Sequence, residues 1–172
     1  AITMLNIYLQ NLDNEDANTK YAMKVISPAE FETAESFGVG SVEEFTWKQL
    51  MDGDACTRCG RCQDNCPAHL TEKPLSPKKM INDVKDAMNE RVPKLMEAKK
   101  AGADPSTVES KMLIGESVKE DEIWSCTNCA ACLENCPVQI EHVNKINDMR
   151  RYKVLMEGDM AGELQTTLTN ME

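Results

Sequence analysis

A mainly helical fold is what this sequence predicts, on three observations. Aromatic residues are 5% of the 172 and charged residues 28%, a balance that suits solvated helices better than a β-sandwich. Apolar residues recur at helical spacing in the longest uninterrupted stretches. The eight cysteines fall in two tight groups, and the nearly sixty residues between them carry a strong helical pattern.

The elements follow from local signals. Residues 1–12 hold Ile2, Met4, Leu5, Ile7, Leu9 and Leu12, a short apolar stretch readable as a helix end, a strand or an arm; Asn11 to Lys20 is turn-like. Ser27-Pro28-Ala29-Glu30 opens a helix, with proline at its first position and acid in its first turn. Gly38 and Gly40 break the chain, and Ser41 to Asp52 reads as one helix with Ser41 as N-cap and Glu44 three residues on. Its apolar side is Val42, Phe45, Leu50 and Trp47. Ser76-Pro77 starts a helix through Met80, Ile81, Val84, Ala87, Met88 and Val92; Pro93 should break or restart it before Leu95, Met96 and Ala98 continue to Gly102. Residues 103–118 read as loop, and 122–124 lead into the second cysteine group. Ile140, Val143, Ile146 and Met149 mark a helix extending to Gly158, and Met160, Leu164, Leu168 and Met171 a last one.

Each cysteine group has the spacing C-x2-C-x2-C-x3-C followed by proline: Cys56, Cys59, Cys62, Cys66 and Pro67, then Cys126, Cys129, Cys132, Cys136 and Pro137. Eight cysteines admit disulfides, zinc or a redox cofactor. Disulfide frameworks scatter cysteines to staple distant loops, which these groups do not. Structural zinc usually takes two C-x2-C pairs across a longer spacer, often with histidine, so a zinc-binding interaction module is the weakest reading. Three thiolates at three-residue steps suit the corner of an iron–sulfur cubane. In two-cluster proteins of this motif class the fourth cysteine ligates the other cluster. The expectation is therefore two [4Fe–4S] clusters, one on Cys56, Cys59, Cys62 and Cys136, the other on Cys126, Cys129, Cys132 and Cys66. A short ferredoxin places its motifs much closer, on a small β-scaffold. The long helical gap favours an α-helical ferredoxin over residues 41–172, preceded by an N-terminal extension or linker, 1–40.

Small residues between the ligands, Gly60, Ala130 and Ala131, let backbone N–H groups approach the sulfides. Asn65 and Asn135 precede both fourth cysteines as turn formers. Arg58 and Arg61 mark the first motif where the second has Asn128 and Ala131, which favours a higher potential for the first cluster unless both arginines are solvated.

Charge narrows the function classes. The net charge of −10 argues against nucleic acid as the main partner. No apolar run is long enough to span a membrane, and no secretory signal opens the chain. Residues 56–101 are net +4 within this acidic protein; their lysines serve either to dock an acidic partner or as a plain solvated face. Met80, Met88, Met149 and Met160 read as core filling, and His69 and His142 as capping or surface residues. There is no Gly-rich dinucleotide fingerprint, so a flavin or nicotinamide would sit on a partner. No substrate-converting site is visible.

The stretches Phe45-Thr46-Trp47-Lys48-Gln49-Leu50, Asp54 to Gln63, Lys73 to Lys79, Ile123 to Thr127 and Leu155 to Gly158 resemble the ferredoxin segment of iron–sulfur oxidoreductases of the heterodisulfide reductase D type. They look especially like the electron-transfer-flavoprotein:quinone oxidoreductase branch of that family, over about residues 38–172. That resemblance implies an electron relay between a flavoprotein donor, such as an electron-transfer flavoprotein, and a quinone-linked or CCG-domain acceptor. It also implies a membrane-associated complex at the cytoplasmic, inner face of the membrane. Family members carry haem-binding membrane helices before this segment and CCG domains after it, so the chain reads as a piece of a longer protein or a stand-alone relay subunit. The alternative is the iron–sulfur subunit of a soluble heterodisulfide-reductase-like enzyme.

Overall fold

The computed structural model describes residues 2–13, 27–34, 36–102, 108, 111–159 and 162–171. Among these the fold is helical, with two isolated β-bridges and no strand. The helices are α1 (Ile2–Asp13), α2 (Pro28–Thr33), α3 (Trp47–Ala55), α4 (Arg61–Asp64), α5 (Pro67–Leu70), α6 (Pro77–Lys100), α7 (Glu120–Trp124), α8 (Ala131–Glu134), α9 (His142–Leu155) and α10 (Gly162–Thr169). The predicted mainly α class is what is found. Of the residues expected to form the first and last helices, the side chains of Leu12, Leu164 and Leu168, and all of Met160, lie outside the described residues, as does most of the predicted turn after Asn11.

Helix α6 is the longest element. Ser76 starts it, its hydroxyl oxygen accepting from the Lys79 N–H at 3.2 Å. Met80, Ile81 and Val84 line its buried stripe. The helix runs unbroken through Pro93, contrary to the expected break. Pro93 is exposed, so the carbonyl it leaves without a donor faces water. Helix α6 packs against α3, α3 against α1, and α9 against α7 and α8.

The predicted single helix over Ser41–Asp52 is two pieces. Glu44 folds back, its carboxylate accepting from the N–H groups of Gly40 (2.6 Å) and Ser41 (3.0 Å), which closes a one-turn 3-10 helix at Val42–Glu44. Phe45 is extended, and Thr46 then caps α3 through reciprocal bonds with Gln49. The split buries Val42 and Phe45 but leaves Trp47 in solvent at 66% exposure, outside the apolar face assigned to it.

Residues 38–42 lie across α9. The Val39 N–H donates to the Asp148 carbonyl at 3.0 Å, and the Gly40 carbonyl accepts from the Leu113 N–H at 2.8 Å. A Cβ on Gly38 would stand 2.3 Å from the Asp148 oxygen, so glycine is what permits this approach. The stretch 111–118, read as loop, has no helix or strand, yet it buries Leu113, Ile114 and Val118 in the main core.

Candidate iron–sulfur centre

The two cysteine motifs fold alike. In each, the residue before the second cysteine and the residue after it take left-handed backbone: Arg58 (φ 56°) and Gly60 (87°), Asn128 (55°) and Ala130 (59°). Such positions favour glycine or asparagine, so Arg58 and Ala130 are held there by their surroundings. Left-handed residues between ligands turn successive N–H groups inward, the backbone habit of anion-binding nests at iron–sulfur sites. Each motif continues into a single helical turn, α4 or α8. The side-chain amides of Asn65 and Asn135 donate to the Arg61 and Ala131 carbonyls at 2.9 Å, closing those turns.

Helix α4 packs on α8, which brings Cys62 and Cys132 into one small buried cluster with Val143 of α9. Cys66 is buried as well, Cys56, Cys126 and Cys136 are half-buried, and Cys59 and Cys129 are exposed; none is in a disulfide. The charges acting on these thiols sort into two fours that cut across the motifs. Burial, then Cys136, Cys56 and Cys59, push Cys62 up to about 11. Cys136 is raised by burial and also opposed by Cys56 and Cys59. A recess of about 300 Å³ is lined by these same four cysteines together with Arg58, Lys78 and His142. On the other side, burial and then Cys126, Cys66, Cys62 and Cys129 push Cys132 up to about 12. Cys126 is raised by burial, with Cys66 and Cys129 adding to it, against the Asn128 N–H and the Arg150 guanidinium.

This donor set fits iron–sulfur clusters. Thiols that burial and mutual repulsion keep protonated need positive metal among them to ionise, and coordination deprotonates a thiol outright. Among the described residues no three His, Cys, Asp or Glu side chains converge on a position for a single ion. A cubane does not ask for that, since each corner sulfur meets a different iron. Backbone N–H groups already point at two sulfurs, Asn128 at Cys126 Sγ and Ile140 at Cys136 Sγ, both at 3.4 Å. Donors of this kind tune cluster potential.

Three features escaped the sequence. Arg150, on α9, reaches the second motif. Its Nη2 donates to the Cys126 and Ile123 carbonyls at 2.6 Å, Nε to Ile123 at 3.0 Å and Nη1 to Asn128 Oδ1 at 3.4 Å, while Cζ lies 5.4 Å from the Trp124 ring centre. Behind the first motif, Asp52 and Lys145 form an ion pair with both side chains 1% exposed, and Lys48 joins Asp52 at 2.7 Å. Burial pushes the Asp52 carboxyl up, but the two lysines outweigh it and hold it below the usual range. Third, His142 is neither a cap nor on the surface. It is buried, with Nδ1–H donating to the Ile140 carbonyl at 2.9 Å. His69 is half-buried on α5.

Burial, reinforced by Lys145, lowers His142 to about 4. Between its ordinary 6.5 and about 4, the unfolded chain binds a proton that the folded chain refuses. Stability from this group is therefore complete above 6.5 and lost as pH falls through that window, by about 3 kcal/mol in all. Urea midpoints of the cluster-loaded protein from pH 7 to 5 should fall more steeply than those of a His142→Gln variant; parallel slopes would refute the assignment.

Among the described residues no helix is long and apolar enough to cross a membrane. The 4Fe-4S dicluster domain family matches residues 52–140. The chain is 44% identical over 155 residues to the EtfAB:quinone oxidoreductase of Syntrophomonas wolfei, covering 82% of this chain and 22% of that protein. It is 39% identical over 165 residues to the probable iron-sulfur-binding oxidoreductase FadF of Bacillus subtilis, covering 82% and 23%. A probable membrane-anchored ferredoxin of Chromohalobacter salexigens is 38% identical over 144 residues, covering 78% and 21%. Iron–sulfur components of CoB–CoM heterodisulfide reductases match more weakly. The chain thus spans about a fifth to a quarter of the length of its first three curated relatives. No solved structure matches it. Helical fold, paired cysteine motifs and these relatives agree on an iron–sulfur electron-transfer module with two [4Fe–4S] clusters, and the chain belongs to the 4Fe-4S dicluster domain family.

Proposed function

We propose that this chain is the relay segment of a larger oxidoreductase, with Cys56, Cys59, Cys62 and Cys136 holding one cluster and Cys126, Cys129, Cys132 and Cys66 the other. Residues 41–172 form the ferredoxin domain and 1–40 its extension. The observation that carries this reading is the sorting of the eight thiols into two fours, each taking three cysteines from one motif and the fourth from the other. When bound, each cluster accepts and returns one electron at a time. The chain's own residues supply the path. Cys59 and Cys129 open each set to solvent and to partners, while Cys62, Cys132 and Val143 keep water from the space between the sets. The donor is a flavoprotein of the electron-transfer-flavoprotein kind and the acceptor a quinone-linked centre, in a complex at the inner face of the membrane. The names of the Syntrophomonas and Chromohalobacter relatives support that choice. The heterodisulfide reductase matches favour a second reading, an iron–sulfur subunit passing electrons to a CCG-domain partner.

Single cysteine variants test the ligand sets. After anaerobic loading, iron and acid-labile sulfide should equal two four-iron clusters per chain, and low-temperature EPR should show two interacting centres. Cys136→Ala should reproduce the spectrum of Cys59→Ala, and Cys66→Ala that of Cys129→Ala. The opposite pairing would overturn the crossed assignment, and colourless zinc-loaded protein would end the iron–sulfur reading. Reduced electron-transfer flavoprotein should bleach the clusters; if it does not while a CCG-domain partner reoxidises dithionite-reduced protein, the second reading replaces the first.

A further inference from the structure

We propose that Arg150 raises the reduction potential of the centre at Cys126, Cys129, Cys132 and Cys66, acting as its fixed positive charge. The inference rests on the ligand sets proposed above. Every acceptor that the guanidinium meets is a neutral oxygen: the carbonyls of Ile123 and Cys126 and the amide oxygen of Asn128. Among the described residues no carboxylate pairs with it. Its positive charge is therefore not cancelled locally, and the nearest anionic sulfur to feel it is that of Cys126.

Position makes that charge effective. Arg150 is half-buried and covered on one face by Trp124, whose indole ring holds the guanidinium by cation–π attraction. Helix α9 supplies a rigid base, and four hydrogen bonds fix the planar fork, which a lysine cannot copy. A charge screened only in part by water acts more strongly than one in bulk solvent. Arg58 and Arg61 of the first motif are both exposed, as is Cys59 beside them, so water and salt weaken their effect. The charge that matters most for potential thus lies beside the motif that looked neutral in sequence. Adding an electron to a cluster makes it more negative, and a nearby cation stabilises that added charge. Arg150 is a positioning residue as well, since it pins the carbonyl of a ligand; charge and positioning are separable by substitution.

The test is a redox titration of the cluster-loaded protein followed by EPR, with the second centre identified as the one whose signal changes in Cys129→Ser. Arg150→Gln is expected to shift that centre's one-electron equilibrium about tenfold towards the oxidised form, a midpoint lower by about 59 mV. The other centre should move by much less. Arg150→Lys, which keeps the charge and loses the fork, should retain most of the wild-type potential. Asn128→Asp places a carboxylate against Nη1 at a left-handed position that aspartate tolerates, and should lower the same midpoint while Arg150 stays in place. This second route decides the matter if Arg150→Gln fails to load its cluster. Unchanged midpoints in both neutralising variants would overturn the proposal. An Arg150→Lys shift as large as that of Arg150→Gln would also overturn it, by showing that the fork acts through geometry alone. Protein that binds no iron or sulfide at all would instead refute the cluster reading beneath it.

Discussion

Replacing Asp52 by leucine is expected to cost the folded, cluster-loaded protein about 3–5 kcal/mol, the range for stranding one partner of a buried ion pair. Lys145 would keep its charge at 1% exposure, with the Glu141 carbonyl at 3.3 Å as its remaining acceptor. That ammonium would have to release its proton, pull water in, or drag α9 outward. The double variant Asp52→Leu/Lys145→Met should recover most of the loss, because removing both charges removes the desolvation that each had to offset. Lys48, freed from Asp52, lies close enough to the surface to reach water along its stem. A double-mutant cycle from urea unfolding checks this. Equal losses in the single and double variants would mean that the pair is not what α3 and α9 depend on.

Gly38→Ala should be nearly as damaging, at about 3–5 kcal/mol, for a different reason. The added methyl would fall 2.3 Å from the Asp148 oxygen and 2.4 Å from the Tyr152 nitrogen, both backbone atoms of α9, at a residue whose φ is +79°. A helix backbone cannot yield as a side-chain tip can, so the strap at 38–42 must lift away. Gly102→Ala is the internal control. Its φ is +72° but nothing lies within 4 Å, so it should show the left-handed penalty alone, about 1–2 kcal/mol. Thermal midpoints of the two variants should differ severalfold in their loss; matching losses would place the cost in backbone conformation and not in contact.

How far the sequence reached is clear from particular residues. Helices α6 and α9 were legible because Met80, Ile81 and Val84, and Ile146 and Met149, repeat at the spacing of a helix face and are buried as that spacing requires. The cysteine motifs were legible because their chemistry depends on short-range spacing, which needs no tertiary knowledge. Pro93 misled because a proline breaks a helix only where the bond it deletes has no substitute, and whether that carbonyl meets water is a tertiary fact. Ser41 and Thr46 are both good N-caps five residues apart, so local signals alone could not show that each would start its own turn. Leu113, Ile114 and Val118 lack any period because a strap, the Gly40 carbonyl, orders them. Asp52, Lys145 and Arg150 were missed for one shared reason. Charged residues default to the surface, and only a partner 93 or 24 residues away draws these inward.

The matching left-handed turns at 58 and 128, and at 60 and 130, carry a consequence for how the module could have a direction. Two sockets with the same backbone shape impose no polarity on whatever passes between them; a symmetric wire conducts equally both ways. Bias must then come from what decorates the sockets: two solvated guanidiniums at one, a stacked and pinned one at the other. Rectification in such a protein is written in a handful of side chains outside the ligand set, where it is open to change without rebuilding the fold.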